Sequence, residues 1–144
     1  MNVYFACSIT GGRQDERIYQ KLVTTLQQGG HHVPTALLAS PDVMPLEGVV
    51  SPADVYARDV RWISECDFLL AEVSTPSHGV GYEIGYALSA GKRVLCLYRK
   101  GTKVSKMILG NPHPMLTVHA YETPDQAIQL LTSYLESVPV TGAG

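Results

Sequence analysis

"DFLLAEVSTPSHGVGYEIGYALSAGKRVLCLY", residues 67–98, holds two kinds of pattern in one run. "DFLLAEV" (67–73) and "KRVLCLY" (92–98) are apolar runs of strand length, while "GYEIGYALSAG" (81–91) has the spacing of a short helix and closes on glycine. Buried strands that alternate with helices are the signature of a parallel sheet covered on both faces.

The same alternation continues in both directions. Upstream, "NVYFACSI" (2–9) reads as a first strand ending in the turn Gly11-Gly12. From Asp15, apolar residues recur at Ile18, Leu22 and Leu26, with Tyr19 and Val23 beside them, until Gly29-Gly30 stops a helix. "HHVPTALL" (31–38) is expected as a second strand, placed at an edge because Pro34 cannot donate to a ladder. Residues 39–50 form the longest irregular stretch. Ser51-Pro52-Ala53-Asp54 then offers an N-cap, a first-turn proline and an acid, so a helix is expected from about Pro52 to Ser64. Downstream, residues 101–115 read as a loop with one helical turn near Val104 to Leu109. "LTVHAY" (116–121) reads as a fifth strand, and Thr123-Pro124-Asp125-Gln126 caps a last helix.

The expectation is an α/β single domain over residues 1–137, a flavodoxin-like (Rossmann-like) three-layer fold with a five-stranded parallel sheet. A tail, 138–144, has little to pack and should fray. Sheets of this class bind ligands outside the carboxyl ends of their strands. That directs attention to three turns: Ser8 to Arg13, Ser74 to Glu83, and Arg99 to Met107.

The chain has 144 residues, enough for one core, with a net charge of -2 and 17% charged residues. No overall electrostatic footprint for nucleic acid or an acidic membrane results, so any phosphate must be held locally. Cys7, Cys66 and Cys96 are far apart and lack metal or disulfide spacing, which fits a reducing compartment. With no signal-like start and no apolar run of ~20 residues, the chain reads as soluble and cytoplasmic.

Glu83 is the residue that needs explaining, because an ionised carboxylate in a packed helix costs several kcal/mol unless compensated. Ser8-Ile9-Thr10-Gly11-Gly12-Arg13 and Ser77-His78-Gly79-Val80-Gly81 both follow strands, where backbone N–H groups can approach an anion. The first is neither a dinucleotide fingerprint nor a Walker A loop, and its glycines alone fit an ordinary tight turn. Two such turns at one sheet end favour phosphate. Asp59, taken alone, reads as a solvated charge that Arg58 or Arg61 could neutralise, and Tyr4 as a core strand residue whose hydroxyl would orient Glu83 if it reached it. His31 and His32 point to opposite strand faces, while His78, His113 and His119 lack ligand spacing, so no metal is expected. Cys7 reads as a small buried residue.

"YFACSITGGRQD" (4–15), "DVRWISECDFLLAEVSTPSHGVGYEIGYAL" (59–88) and "VSKMILG" (104–110) together resemble the 2'-deoxynucleoside 5'-phosphate N-hydrolases, relatives of the nucleoside 2-deoxyribosyltransferases. The resemblance covers nearly the whole chain apart from 39–52 and the tail. It implies Glu83 as nucleophile, Asp59 as the acid that also contacts the sugar, and Tyr4 as the residue positioning Glu83. It further implies a phosphate site from Ser8, Ile9, Gly11, Gly12, Arg13, Ser77 and Gly79, with Ser105 reaching a neighbouring subunit's site. A homodimer without cofactor, acting on a nucleotide, is the corresponding expectation. Two carboxylates flanking a glycosidic bond are the apparatus for an oxocarbenium-like transition state. The first loop departs from the family's usual Gly-Ser-Ile-Arg-Gly-Gly-Arg: Cys7 and Thr10 replace the glycine and first arginine, one cation fewer. Three rivals remain at this point: a ribonucleotide N-glycosidase acting on CMP or a modified CMP, a transferase moving deoxyribose between bases, and a nucleotide sensor without turnover.

Overall fold

Four strands, all parallel, make the sheet in the computed structural model, which describes residues 1–9, 15–40 and 50–139. They are β1 (Val3–Ala6), β2 (Phe68–Glu72), β3 (Arg93–Arg99) and β4 (Leu116–Tyr121), in the order β1-β2-β3-β4. The register sets Ala6, Ala71, Cys96 and Val118 in one row across the sheet.

Period-two alternation sorts each strand onto two faces. Phe5, Phe68, Leu70, Leu95 and Leu97 face α1 (Glu16–Gln28) and α5 (Pro124–Ser137), which supply Tyr19, Leu22, Leu26 and Leu131. Tyr4, Ala6, Leu69, Val94 and Cys96 face α2 (Pro52–Glu65) and α3 (His78–Ser89), which supply Ile63, Val80, Ile84 and Leu88. Each fully buried Leu or Phe contributes about 1.5–3 kcal/mol, so the two cores carry most of the stabilisation. A short helix, α4 (Lys106–Leu109), precedes β4.

The helix starts follow the sequence closely. Ser51 accepts the Asp54 N–H at 3.2 Å and Thr123 accepts the Gln126 N–H at 3.1 Å, each followed by a proline in the first turn. Gly91 ends α3 at φ +76°, a conformation that costs a residue with a Cβ more, and the chain turns there into β3.

The expected five-stranded sheet has four strands. Residues 31–38, strand-like in composition, form no strand: only His32 pairs with β1's side of the sheet, through a parallel bridge to Asn2. The Val3 N–H donates to the His32 carbonyl at 2.8 Å, and the His32 N–H donates to the Met1 carbonyl at 2.9 Å. Pro34, which has no N–H, stops the ladder there. The Phe5 N–H then donates to the Thr35 hydroxyl at 2.8 Å, a side-chain substitute for the missing strand, and the chain enters a 3₁₀ turn at Ala36–Ala39. The position is still that of an outer strand beside β1. α1 leaves β1 for one face, whereas α2 and α3 lie on the other, so the crevice beyond the ends of β1 and β2 is where a ligand of such a sheet would sit.

Two smaller corrections concern helix and tail. α3 begins at His78 and not at residue 81, because Ser77 caps it by accepting the Val80 N–H at 3.3 Å. Val138, expected to fray, is buried, and its N–H donates to the Tyr134 carbonyl at 3.0 Å. The remainder of the expected tail, 140–144, lies outside the described residues. Among the described residues no helix is long and apolar enough to cross a membrane.

Candidate active site

Glu83 lies on the face of α3 that turns toward α2 and the sheet. Gly79, one turn earlier, sits beneath it: a Cβ there would stand 3.6 Å from Glu83 Oε1 and 3.9 Å from Ser77 Oγ. The carboxylate therefore rests against bare backbone at the head of the helix. Glu83 Oε2 and the Tyr4 hydroxyl are both fully buried, and neither makes a hydrogen bond of normal geometry with a described residue. The hydroxyl is nevertheless close enough to favour the ionised form of the carboxyl.

Burial is the larger effect. It pushes the Glu83 carboxyl up from its usual 4.5 to about 7, with Asp59 adding to the rise while Tyr4 and Arg58 oppose it. The Tyr4 phenol is pushed far above its usual range, first by burial and then by the charges of Glu83 and Asp59. Tyr4, Asp59 and Glu83 thus form one electrostatic cluster drawn from β1, α2 and α3. A carboxyl with that balance of forces is a functional-site candidate on physical grounds.

Asp59 is not a free surface charge. Arg58 Nε donates to its Oδ1 at 2.9 Å, and the same guanidinium lies 5.0 Å over the Trp62 ring. Arg61, the other cation considered from sequence, is exposed.

The carboxylates open onto a cleft of about 400 Å³ between α2 and α3. Its walls are Val55, Val60 and Ile63, and Tyr56 and Tyr82 stand at its rim with their rings 6.3 Å apart, edge to face. Such a lining, apolar with two carboxylates, suits a flat ring above a reacting polar centre. A second cleft, of about 370 Å³, lies on the other side of α3. Ser77, Lys103 and Ser105 line it, and Tyr82 borders both spaces.

The remaining sequence-predicted positions fall as follows. Ser8 is wholly buried just past β1, and Ile9 packs against the α1/α5 core. Gly11, Gly12 and Arg13 lie outside the described residues. Ser77 and Ser105 both act as N-caps, Ser105 accepting the Met107 N–H at 3.2 Å, so each hydroxyl keeps its own hydrogen for another acceptor. Within one chain Ser105 shares a cleft with Ser77.

Sequence reasoning missed Glu72, which is wholly buried at the end of β2, together with its partners Ser74 and Tyr121. The signal was present, since an acid ending the apolar run "FLLAE" is as unexpected as Glu83. It also passed over Asp15 and Lys103.

Comparison with known proteins identifies the family. The sequence profile of the family described as nucleoside 2-deoxyribosyltransferase matches residues 3–128. A 5-hydroxymethyl-dUMP N-hydrolase of Danio rerio is 41% identical over 143 residues, covering 96% of this chain and 98% of the relative. A putative 2'-deoxynucleoside 5'-phosphate N-hydrolase 1 of Methanosarcina barkeri is 37% identical over 133 residues, covering 92% and 84%. Among solved structures, the CMP N-glycosidase BcmB of Clostridium botulinum superposes with a TM-score of 0.71 at 22% identity, covering 92% of this chain and 98% of that one, a likeness of fold. The chain belongs to the nucleoside 2-deoxyribosyltransferase family, among its 2'-deoxynucleoside 5'-phosphate N-hydrolases.

Proposed function

We propose that the protein hydrolyses the N-glycosidic bond of 2'-deoxynucleoside 5'-monophosphates, releasing the free base and 2-deoxyribose 5-phosphate. The observation that carries this reading is the buried Glu83 carboxylate, beside Tyr4 and Asp59, at the foot of an apolar cleft. The hydrolase names of the relatives support the same substrate class.

In this mechanism the Glu83 carboxylate attacks C1' as the C1'–N bond breaks and its electron pair leaves with the base. The sugar becomes esterified to Glu83. Asp59 helps the base depart as an acid and, once ionised, takes a proton from the water that opens the ester. Arg58 Nε, 2.9 Å from Asp59 Oδ1, stands beside the charge left once that proton has gone. Tyr4 holds Glu83 in line. Ser8, Ser77 and the turn that includes Gly12 and Arg13 hold the 5'-phosphate, and that remote binding orients the anomeric carbon. Met107 is 84% exposed and Leu109 is exposed beside it, which supports a homodimer in which Ser105 reaches the neighbouring site.

The deciding experiment is release of free base from dGMP, dCMP, GMP, CMP and deoxyguanosine, with Glu83→Gln run alongside. Release from the deoxynucleotides that vanishes in the variant is expected. Release from CMP alone would move the protein to the ribonucleotide glycosidases, and nucleotide binding without any release would leave a sensor. Light scattering at micromolar concentration tests the dimer, which a monomer mass would exclude.

A further inference from the structure

A second set of buried polar groups lies at the carboxyl ends of the strands, on the α1/α5 face, and the proposed hydrolysis makes no use of it. Glu72 ends β2 without exposure; its Oε1 accepts the Ser74 N–H at 2.6 Å, and its Oε2 accepts the Ser74 hydroxyl at 2.9 Å and the Tyr121 hydroxyl. Ser74 Oγ accepts the Arg99 N–H at 2.8 Å. The Arg99 guanidinium then meets Asp15 Oδ1, and Asp15 Oδ2 accepts the Thr75 hydroxyl at 3.0 Å. Burial raises the Glu72 carboxyl above its usual range, against the pull of its three donors, while Asp15 raises the Arg99 guanidinium.

The chain of contacts joins the ends of β2, β3 and β4 to the residue that starts α1. Asp15 is only 4% exposed and immediately precedes α1. Thr75 stands two residues before Ser77, the cap of α3. One carboxylate therefore grips the β2–α3 turn while fixed to the head of α1. Arg99 stands against the Asp15 carboxylate, whose charge alone would repel a phosphate bound at the head of α1.

Resting on the proposed function, we infer that Asp15 and Thr75 are positioning residues for the 5'-phosphate: their hydrogen bond sets the Ser77 turn against the start of α1, with Arg99 as the neutralising partner. They touch neither the sugar nor the base. Their effect should appear with the phosphorylated substrate and not with the unphosphorylated nucleoside.

The test compares wild type, Thr75→Val, Thr75→Ser and Asp15→Asn in calorimetric binding of inorganic phosphate, and in kcat and KM for a deoxynucleoside monophosphate and its unphosphorylated nucleoside. Thr75→Val should weaken phosphate binding and raise the nucleotide KM by about tenfold, since small misplacements of binding groups have effects of that order or larger. Its kcat for the nucleotide should fall as well, because the phosphate orients the anomeric carbon, while its nucleoside kinetics should not change and Thr75→Ser should restore wild-type binding. Asp15→Asn keeps the side-chain volume and should follow Thr75→Val. If wild type binds phosphate and Thr75→Val binds it equally well, or loses nucleotide and nucleoside activity in parallel, the positioning role is wrong and the proposed hydrolysis stands. If wild type binds no phosphate, the phosphate site and this role fall together.

Discussion

Tyr4 and Glu83 share a buried corner in which the hydroxyl favours the carboxylate's charge without closing a hydrogen bond of normal geometry. The two groups come from β1 and α3, so the packing of that helix on that strand sets the distance between them. Glu83 also lines the cleft between α2 and α3, the side from which a substrate would reach it.

The nucleophile has to be ionised, and burial holds Glu83 at about 7. kcat/KM for a deoxynucleoside monophosphate should therefore rise through neutral pH and level off above it. Arg58 lowers this group, so Arg58→Gln should move the rising limb upward; a profile flat from pH 5 to 9 in both proteins would remove Glu83 from the role.

Tyr4→Phe deletes the hydroxyl and keeps the ring in the core. Because the hydroxyl lowers the Glu83 carboxyl, the same limb should shift to higher pH, and the plateau rate should fall by about tenfold, the worth of one pKa unit of differential interaction. An unchanged profile would reduce Tyr4 to a packing residue.

Stability should trade against activity at Glu83. A carboxyl raised in the folded state contributes most below its unfolded value near 4.5, and that contribution is lost as pH rises through about 7. Glu83→Gln should therefore be more stable than wild type at pH 8 by on the order of 1–3 kcal/mol, with the gap closing by pH 5. Urea unfolding at the two pH values measures it, and a variant less stable at pH 8 would contradict the cause assigned to the shift.

Thr35→Val would leave the buried Phe5 N–H without an acceptor. A loss of about 1–3 kcal/mol is expected in urea unfolding, whereas Thr35→Ser should restore most of it. A neutral Thr35→Val would mean that water or another group satisfies Phe5.

The layers were readable because the relevant signals are local. Helix caps at Ser51 and Thr123, the stop at Gly91, and apolar spacing along α1 each act within a few residues, so they appear in the sequence and again in the structure. Residues 31–38 misled because strand-like composition does not reveal where pairing ends; Pro34 weakened the strand, and Thr35 could replace it only once its distance to Phe5 was fixed by the fold. The same limit applies at the site. Glu83 stood out by its surroundings in the chain, but the pairing of Asp59 with Arg58 depends on rotamers on α2. The bond between Asp15 and Thr75 spans elements far apart in sequence, so no local pattern announces it.

Thr35 also closes part of the sheet's β1 edge. An uncapped β1 edge would present a row of open backbone groups to any passing strand, the usual route to edge-to-edge aggregation. With the Phe5 N–H taken by a side chain and Val3 by His32, that row is closed on the β1 side. A strand from another copy therefore finds the Val3 and Phe5 N–H groups already taken, and pairing through them is blocked on the β1 side.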